Sequence, residues 1–326
     1  MRVLSNADVA EFLDMKTAVD LVDAAMIEVS KGRATLPLRT VMPVGGGNHF
    51  GMMPGAIEEP GCYGIKLLSL YPGNPQHGYS SHQGAMVLFE PRYGAAVAIM
   101  NADLLTAVRT AAASGVATRA LARQDSRVLT IVGNGEQAEH HLDAMMAVRD
   151  IAELRVAART KDKADRFAAR ASERYPGLTV SGGTDIEALV SGADIVCTTT
   201  AADEPILFGD WIGPGTHLNV IGSSIPTKRE IDEAMVLKSS VFVDYRASTF
   251  AQAGEIIRAI EAGAIDRDFI RAEIGEVLGG SATGRTGADE ITLYRSLGIA
   301  AQDLACAHHV LARAEEAGRG IVAPLT

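Results

Sequence analysis

The chain has 326 residues, 30 Lys and Arg against 40 Asp and Glu, and a formal net charge of −10; 47% of it is hydrophobic, 21% charged and 5% aromatic. That balance excludes a disordered polymer and supplies enough apolar material for a sizeable core. An acidic chain without a basic block is a poor electrostatic partner for nucleic acid or an anionic membrane, and no apolar run approaches the roughly 18–20 residues of a membrane span.

The length suits one large domain or two ordinary ones. The opening run Met-Arg-Val-Leu-Ser-Asn-Ala-Asp holds no apolar signal-peptide core, so a cytoplasmic location is expected. The three cysteines, Cys62, Cys197 and Cys306, stand far apart with neither a CxxC pair nor a zinc spacing. They read as buried free thiols in a reducing compartment, and no metal is expected. The pairs His140-His141 and His308-His309 lie in helical stretches, where neighbouring side chains diverge, so neither makes a ready metal site.

In chain order, the first 35 residues carry one helical pattern, with capping side chains at Ser5, Asn6 and Asp8, apolar residues at Val9, Phe12, Leu13, Val19, Val22 and Met26, and Gly32 to close it. From Leu36 to Met100 short apolar runs alternate with Gly and Pro, which predicts a mainly antiparallel sheet with a hairpin turn at 91–94. Residues 103–123 form a long Ala-rich helical pattern. From Ser126 onward strand and helix patterns alternate: strands in RVLTIVG, ELRVAAR, LTVSGG, DIVCTTT, THLNVIG and SSVFVDY, and helices at 136–149, 161–174 and 184–191 among them. A last helix covers 298–317. The succession of βα units predicts an α/β fold with a doubly wound parallel sheet. The expected domains are 121–301, of Rossmann type, and 1–120 with 302–326, an α+β domain completed by the C-terminal helix.

RVLTIVG runs into Gly133-Asn134-Gly135-Glu136-Gln137-Ala138, a GxGxxA pattern between a buried strand and a helix. Gly133 permits the tight turn, Gly135 lets the backbone approach a pyrophosphate, and the small Ala138 lets helix and strand pack closely. The helix N-terminus offers amide donors to the phosphates. This context makes the run a dinucleotide site. The second strand ends in Arg159, Thr160 and Lys161, with no carboxylate for a ribose 2′-hydroxyl. A guanidinium suits a 2′-phosphate, so NADP(H) is favoured and NAD(H) stays possible. Thr198 and Thr199 end the fourth strand, where ligands of such sheets sit.

The runs GIKLLS, SSHQGAMVLFEP, LLTAVRTAAAS, VGNGEQA, RVAART and LNVIGSSIPTKREID occur in order over essentially the whole chain. In this the sequence resembles the ornithine cyclodeaminase/μ-crystallin family. The resemblance implies an N-terminal substrate-binding and dimerisation domain joined to a Rossmann domain, a homodimer, and hydride transfer between a nicotinamide and the α-carbon of a small amino or imino acid. It places Arg39, Lys66 and Arg109 in the substrate pocket, with His82 and Ser224 as further substrate contacts. The cofactor set then comprises Thr110, Gly133, Asn134, Gly135, Glu136, Gln137, Arg159, Thr160, Thr198, Thr199, Ile221 and Ser223. The surroundings of the cations agree with this: Lys66 interrupts an apolar strand and Arg109 stands among alanines, and a buried cation needs an anion. A substrate carboxylate held in bidentate fashion by Arg39 and Arg109 would supply one; an internal salt bridge is the alternative. Near two cations the Lys66 pKa should fall, which suits proton transfer near neutral pH.

Cyclodeaminases of the family carry an acidic residue where this chain has Ser224, and a second where it has Gly51. Serine there, HQ before the hairpin strand and RT after the second strand look more like the ketimine reductase and pyrroline-2-carboxylate reductase branch. The expected function is NAD(P)H-dependent reduction of a small 2-imino acid, with Arg39 and Arg109 clamping its carboxylate and Lys66 supplying charge and the proton. The alternatives are a cyclodeaminase with bound NAD, an amino-acid dehydrogenase, and a binding protein for NADPH and a small ligand.

Overall fold

The computed structural model describes residues 1–324. The chain divides into two compact units: Met1–Thr110 with the stretch from Gly298, and Ala111–Leu297. Among the described residues no helix is long and apolar enough to cross a membrane.

The first unit is a sheet covered by helices. Its strands lie in the order Ile321–Val322, Arg2–Leu4, Ala96–Asn101, His82–Phe89, Cys62–Leu70, Asn48–Ile57 and Ala34–Thr35, and Thr40–Gly45 also pairs with Asn48–Ile57. Only Arg2–Leu4 and Ala96–Asn101 run parallel; the other pairs are antiparallel, as the Gly- and Pro-punctuated runs predict. The turn at 91–93 is held by Glu90, whose carboxylate accepts from the amides of Arg92 and Tyr93, both at 2.7 Å.

The expected single N-terminal helix is two, Asn6–Phe12 and Met15–Ser30. Ser5 caps the first in a reciprocal pair with Asp8. The Asp14 side chain accepts from the Thr17 amide at 2.8 Å and starts the second. A new N-cap restarts the hydrogen-bond ladder, and the apolar period runs through the break because Val9, Leu13, Val19, Val22 and Met26 all enter one core. The C-terminal helix Ala300–Glu316 packs on Met15–Ser30 and across the strands Asn48–Ile57, Cys62–Leu70 and His82–Phe89. Leu304, Met26, Met86 and Met100 are buried there, each stabilising the unit by about 1.5–3 kcal/mol.

The second unit is the doubly wound sheet. Its strands, named by first residue, lie in the order Thr179, Glu153, Val128, Ile195, His217, Thr292, Ser240, Ala272, and every pairing is parallel. Numbered in chain order this is 3-2-1-4-5-8-6-7: the 3-2-1-4-5 part is that of a dinucleotide-binding sheet, and the last strand, Thr292–Arg295, inserts between the fifth and the sixth. Thr292–Arg295 was not visible in the hydrophobic pattern: it has four residues, of which Thr292 and Arg295 are polar. The fold buries it completely and satisfies it, with His217 Nδ1 2.9 Å from Thr292 Oγ1, Tyr294 donating to Asp244, and Arg295 paired with Glu255. Val132, Val196, Leu218, Val220, Val243 and Leu293 form the core on which the helices close.

Candidate active site

The strand Cys62–Leu70 alternates between buried and half-buried residues over its first six positions, and Lys66 takes a buried one. Met53 and Met86 are its register partners on either side, so the position is one that an apolar residue would fill. Instead its ammonium donates to Asp303 Oδ1 at 2.8 Å. Asp303 lies in the first turn of the C-terminal helix. The same oxygen accepts from Arg109 Nε at 2.8 Å, and Arg109 Nη1 donates to Gln302 Oε1 at 3.0 Å. Lys66 and Asp303 are 1% and 0% exposed, and Arg109 is 6% exposed at the side chain.

Arg39 enters from the segment before Thr40–Gly45. Its Nη2 donates to the Gly298 carbonyl at 2.7 Å. A Cβ on Gly298 would lie 3.2 Å from the Arg109 guanidinium carbon, so the two guanidinium groups meet at this glycine. His82 begins the strand next to Lys66, with its Nδ1 2.9 Å from Ser81 Oγ.

Two cations thus share one carboxylate, and the Arg39 charge stands near enough to act on Lys66. Burial and the Arg109 charge push Lys66 down to about 7, against the upward pull of Asp303, and Arg39 adds to the fall. Burial would raise the Asp303 carboxyl, but Arg109 and Lys66 outweigh it and hold it below its ordinary value. Asp303 Oδ2 is buried and makes no hydrogen bond among the described residues.

The internal salt bridge weighed as an alternative for these cations is therefore present, and it takes up only part of their charge. Arg109 Nε and one hydrogen of Nη1 are engaged by Asp303 and Gln302, and the guanidinium has further N–H donors on Nη1 and Nη2. Asp303 escaped the sequence reading because one aspartate in a helical pattern is ordinary. The only signal for it was the need of Lys66 and Arg109 for an anion.

In the second unit Gly133 takes φ +127, and its amide donates to the Ala157 carbonyl at 2.9 Å. A Cβ there would come within 2.9 Å of the Thr199 carbonyl oxygen, so the turn tolerates only glycine. Gly135 is the N-cap of the helix Glu136–Val148; no side chain caps that end, and a Cβ on Gly135 would meet no protein atom within 4 Å. Uncapped first-turn amides beside an open backbone fit the pyrophosphate of a nicotinamide dinucleotide. Asn134 and Gln137 are half-buried and Glu136 is exposed. Arg159 is exposed after the second strand, with no ion pair among the described residues, while Thr160 caps the helix Lys161–Arg174 through the Lys163 amide.

One residue that the sequence reading missed ties the next two strand ends together. Glu230 is 1% exposed. It accepts from Thr198 Oγ1 at 2.7 Å, the Thr200 amide at 2.8 Å, Thr200 Oγ1 at 2.6 Å and the Gly222 amide at 2.7 Å. Buried Arg295 donates to the Ser223 carbonyl at 2.5 Å and the Val220 carbonyl at 3.2 Å. The loop carrying Ile221, Ser223 and Ser224 is therefore held from two sides, and Ser223 is buried.

Arg39, Lys66, His82 and Arg109 thus gather in the first unit, with Thr110 buried next to Arg109 on the helix Asp103–Leu121. The residues from Gly133 to Gln137, Arg159, Thr160, Thr198, Thr199, Ile221, Ser223 and Ser224 follow strand ends of the second unit.

Residues 1–318 match the profile of the ornithine cyclodeaminase/mu-crystallin family. The ketimine reductase mu-crystallin of Mus musculus is 35% identical over 294 residues, 88% of each chain. The Δ1-pyrroline-2-carboxylate reductase of Thermococcus litoralis, solved with NADH and L-proline, superposes with a TM-score of 0.95 at 35% identity, over 99% of this chain and 100% of that one. An archaeal alanine dehydrogenase dimer with bound NAD superposes with a TM-score of 0.94 at 31% identity, over 100% and 99%. With the fold, the glycine turn and these relatives in agreement, the chain belongs to the ornithine cyclodeaminase/mu-crystallin family.

Proposed function

We propose that the protein is an NAD(P)H-dependent reductase of a small 2-imino acid, such as a pyrroline- or piperideine-2-carboxylate. The observation that carries this reading is the buried cluster in which Lys66 and Arg109 share a single internal carboxylate, Asp303, with the Arg39 charge acting on Lys66 beside them. Such a cluster has an excess of positive charge and suits one more carboxylate. The pyrroline-2-carboxylate and ketimine reductases among its relatives support the same chemistry.

When bound, a reduced nicotinamide supplies the hydride. Arg39 and Arg109 bind the substrate carboxylate and orient the C=N bond. As the α-carbon accepts the hydride, the π pair of C=N moves to nitrogen, which takes a proton from the Lys66 ammonium and leaves a neutral amine to recharge from solvent. A pKa near 7 suits both halves of that cycle. Buried walls of Met53, Met86 and Met100 exclude water from the cluster and strengthen its fields. Cyclodeamination is disfavoured, because neutral Ser224 stands at the acidic position of those enzymes.

The exposed Arg159 supports use of NADP(H), although the two solved relatives carry NADH and NAD. A homodimer is supported by the dimeric alanine dehydrogenase and by the exposed strand Thr40–Gly45, which shows Val41, Met42 and Val44 to solvent.

The deciding experiment mixes the purified protein with NADH or NADPH and a panel of cyclic and linear imino acids, and follows the nicotinamide absorbance. Oxidation with at least one imino acid is expected. No oxidation with any of them, together with ammonia release from ornithine, overturns the reading. Arg159→Asp should lower the preference for NADPH; an unchanged cofactor ratio removes Arg159 from the site.

A further inference from the structure

We propose that Asp303 is a positioning residue of the imine reduction inferred above: its Oδ1 holds the Lys66 ammonium and the Arg109 guanidinium at one point, so that carboxylate binding and proton delivery are coupled. The role rests on that reading of the function. Three observations carry it. A single oxygen accepts from both cations, each at 2.8 Å. All three side chains are buried. Gln302, the preceding residue of the same helix, accepts from the other side of Arg109 and fixes the plane of the guanidinium.

The groups around Lys66 can be enumerated. Asp303, Gln302 and Cys306 come from the C-terminal helix, Arg109 from Asp103–Leu121, Arg39 from the segment before Thr40–Gly45, and His82 from the neighbouring strand. Cys306 stays a thiol, because burial and the Asp303 charge push it up to about 12. Desolvation and the Lys66 charge disfavour the His82 imidazolium. Asp103, at the start of the Arg109 helix, acts on His82, and Asp303 is the anion that touches Lys66. Without it the Lys66 ammonium would face guanidinium groups alone and would lose its proton at lower pH. An incoming substrate carboxylate adds a second anion and acts in the opposite sense, favouring the ammonium as the substrate arrives.

The test compares wild type, Asp303→Asn and Asp303→Glu, with Δ1-pyrroline-2-carboxylate and saturating reduced cofactor, as pH profiles of kcat and kcat/KM. Reduction needs the protonated lysine, so activity falls as pH rises through its pKa. Asp303→Asn should lower kcat by about 100-fold. It should also move that falling limb to lower pH by about one unit and leave cofactor affinity unchanged. Asp303→Glu keeps the charge and displaces it by one methylene; the limb should return while kcat recovers only in part. A wild-type profile in the asparagine variant, or a lost kcat with an unmoved limb, overturns the proposal.

Wild type alone provides a second measurement that does not depend on folding of the variants. Pyrrole-2-carboxylate, whose ring nitrogen does not titrate in this range, is bound at pH 8 in buffers of different ionisation enthalpy. Net proton uptake is expected, and no uptake overturns the coupling. Wild-type protein inert toward every imino acid would sink the reductase reading; turnover in wild type with unchanged variant profiles would sink the role of Asp303 alone.

Discussion

Lys66 Nζ and Asp303 Oδ1 meet at 2.8 Å although 237 positions separate them, and neither side chain reaches solvent. The lysine comes from the centre of the N-terminal sheet and the aspartate from the last helix, so the C-terminal segment completes the chemistry of the first unit as well as its core. Arg109 shares the same oxygen, which makes the two possible truncations unequal.

Lys66→Met fits the pocket between Met53 and Met86 and leaves Asp303 paired with Arg109. Stability should change by no more than about 1 kcal/mol. Turnover should fall by at least about 100-fold with cofactor affinity unchanged. Asp303→Ala leaves two buried cations without their anion and should cost about 3–5 kcal/mol. Urea titration of both variants checks the order, and an equal loss of stability would contradict the shared-oxygen arrangement.

Two buried histidines predict acid lability. His141 Nδ1 donates to the Gln137 carbonyl at 2.7 Å, and Nε2 lies 2.9 Å from Ser114 Oγ, which suits a neutral ring. Burial lowers His141 to about 4 and His217 to about 3. Both folded values lie below the ordinary unfolded value of about 6.5, so the unfolded chain binds more protons in this window. Stability is full above that value and falls as pH drops toward 4, by at most about 1.4 kcal/mol per unit for each ring. His141→Gln should flatten the slope of unfolding free energy between pH 6.5 and 4, and an unchanged slope would exclude His141 as its source.

Gly133→Ala forces a side chain onto the Thr199 carbonyl at φ +127. The strain, about 1–3 kcal/mol, falls on the turn that presents the helix amides. Cofactor affinity should drop at least about tenfold by fluorescence titration. Gly135→Ala meets no protein atom, so it should weaken the cofactor without lowering Tm. Equal melting losses in both variants would argue against this division of roles.

Glu230→Ala removes the acceptor of four hydrogen bonds and frees the ends of two strands. With each charge-assisted bond worth about 1.5–3 kcal/mol, and the four not additive, the loss should be at least about 3 kcal/mol. Glu230→Gln cannot accept at all four donors and should recover only part of it. Melting curves and cofactor titration test both variants; wild-type values in the alanine variant would show that the loops are held without Glu230.

Local patterns carried most of the architecture. Strand and helix alternation from Ser126 onward predicts the doubly wound sheet, since each unit there has its own period and punctuation. The glycine turn was legible for the same reason: strand, turn and helix start are contiguous, and the need for glycine is a property of local φ and close backbone approach. The helix break at Asp14 and the strand Thr292–Arg295 were not legible. The first is hidden by apolar residues that enter a shared core, and the second has polar side chains whose burial depends on partners in other strands.

The cations divide along the same line. A lysine inside an apolar strand and an arginine among alanines already demanded an anion, because an unpaired buried charge is too costly to keep. Which anion answers them was beyond the sequence. Asp303 is one acidic residue among 40, at no local spacing from Lys66 or Arg109, and its helix reaches the sheet only when the last segment packs back on the first. The residue types and the dinucleotide turn were set by local chemistry; tertiary packing decided that Lys66 and Arg109 share a single oxygen, because only it brings together charges that are hundreds of residues apart.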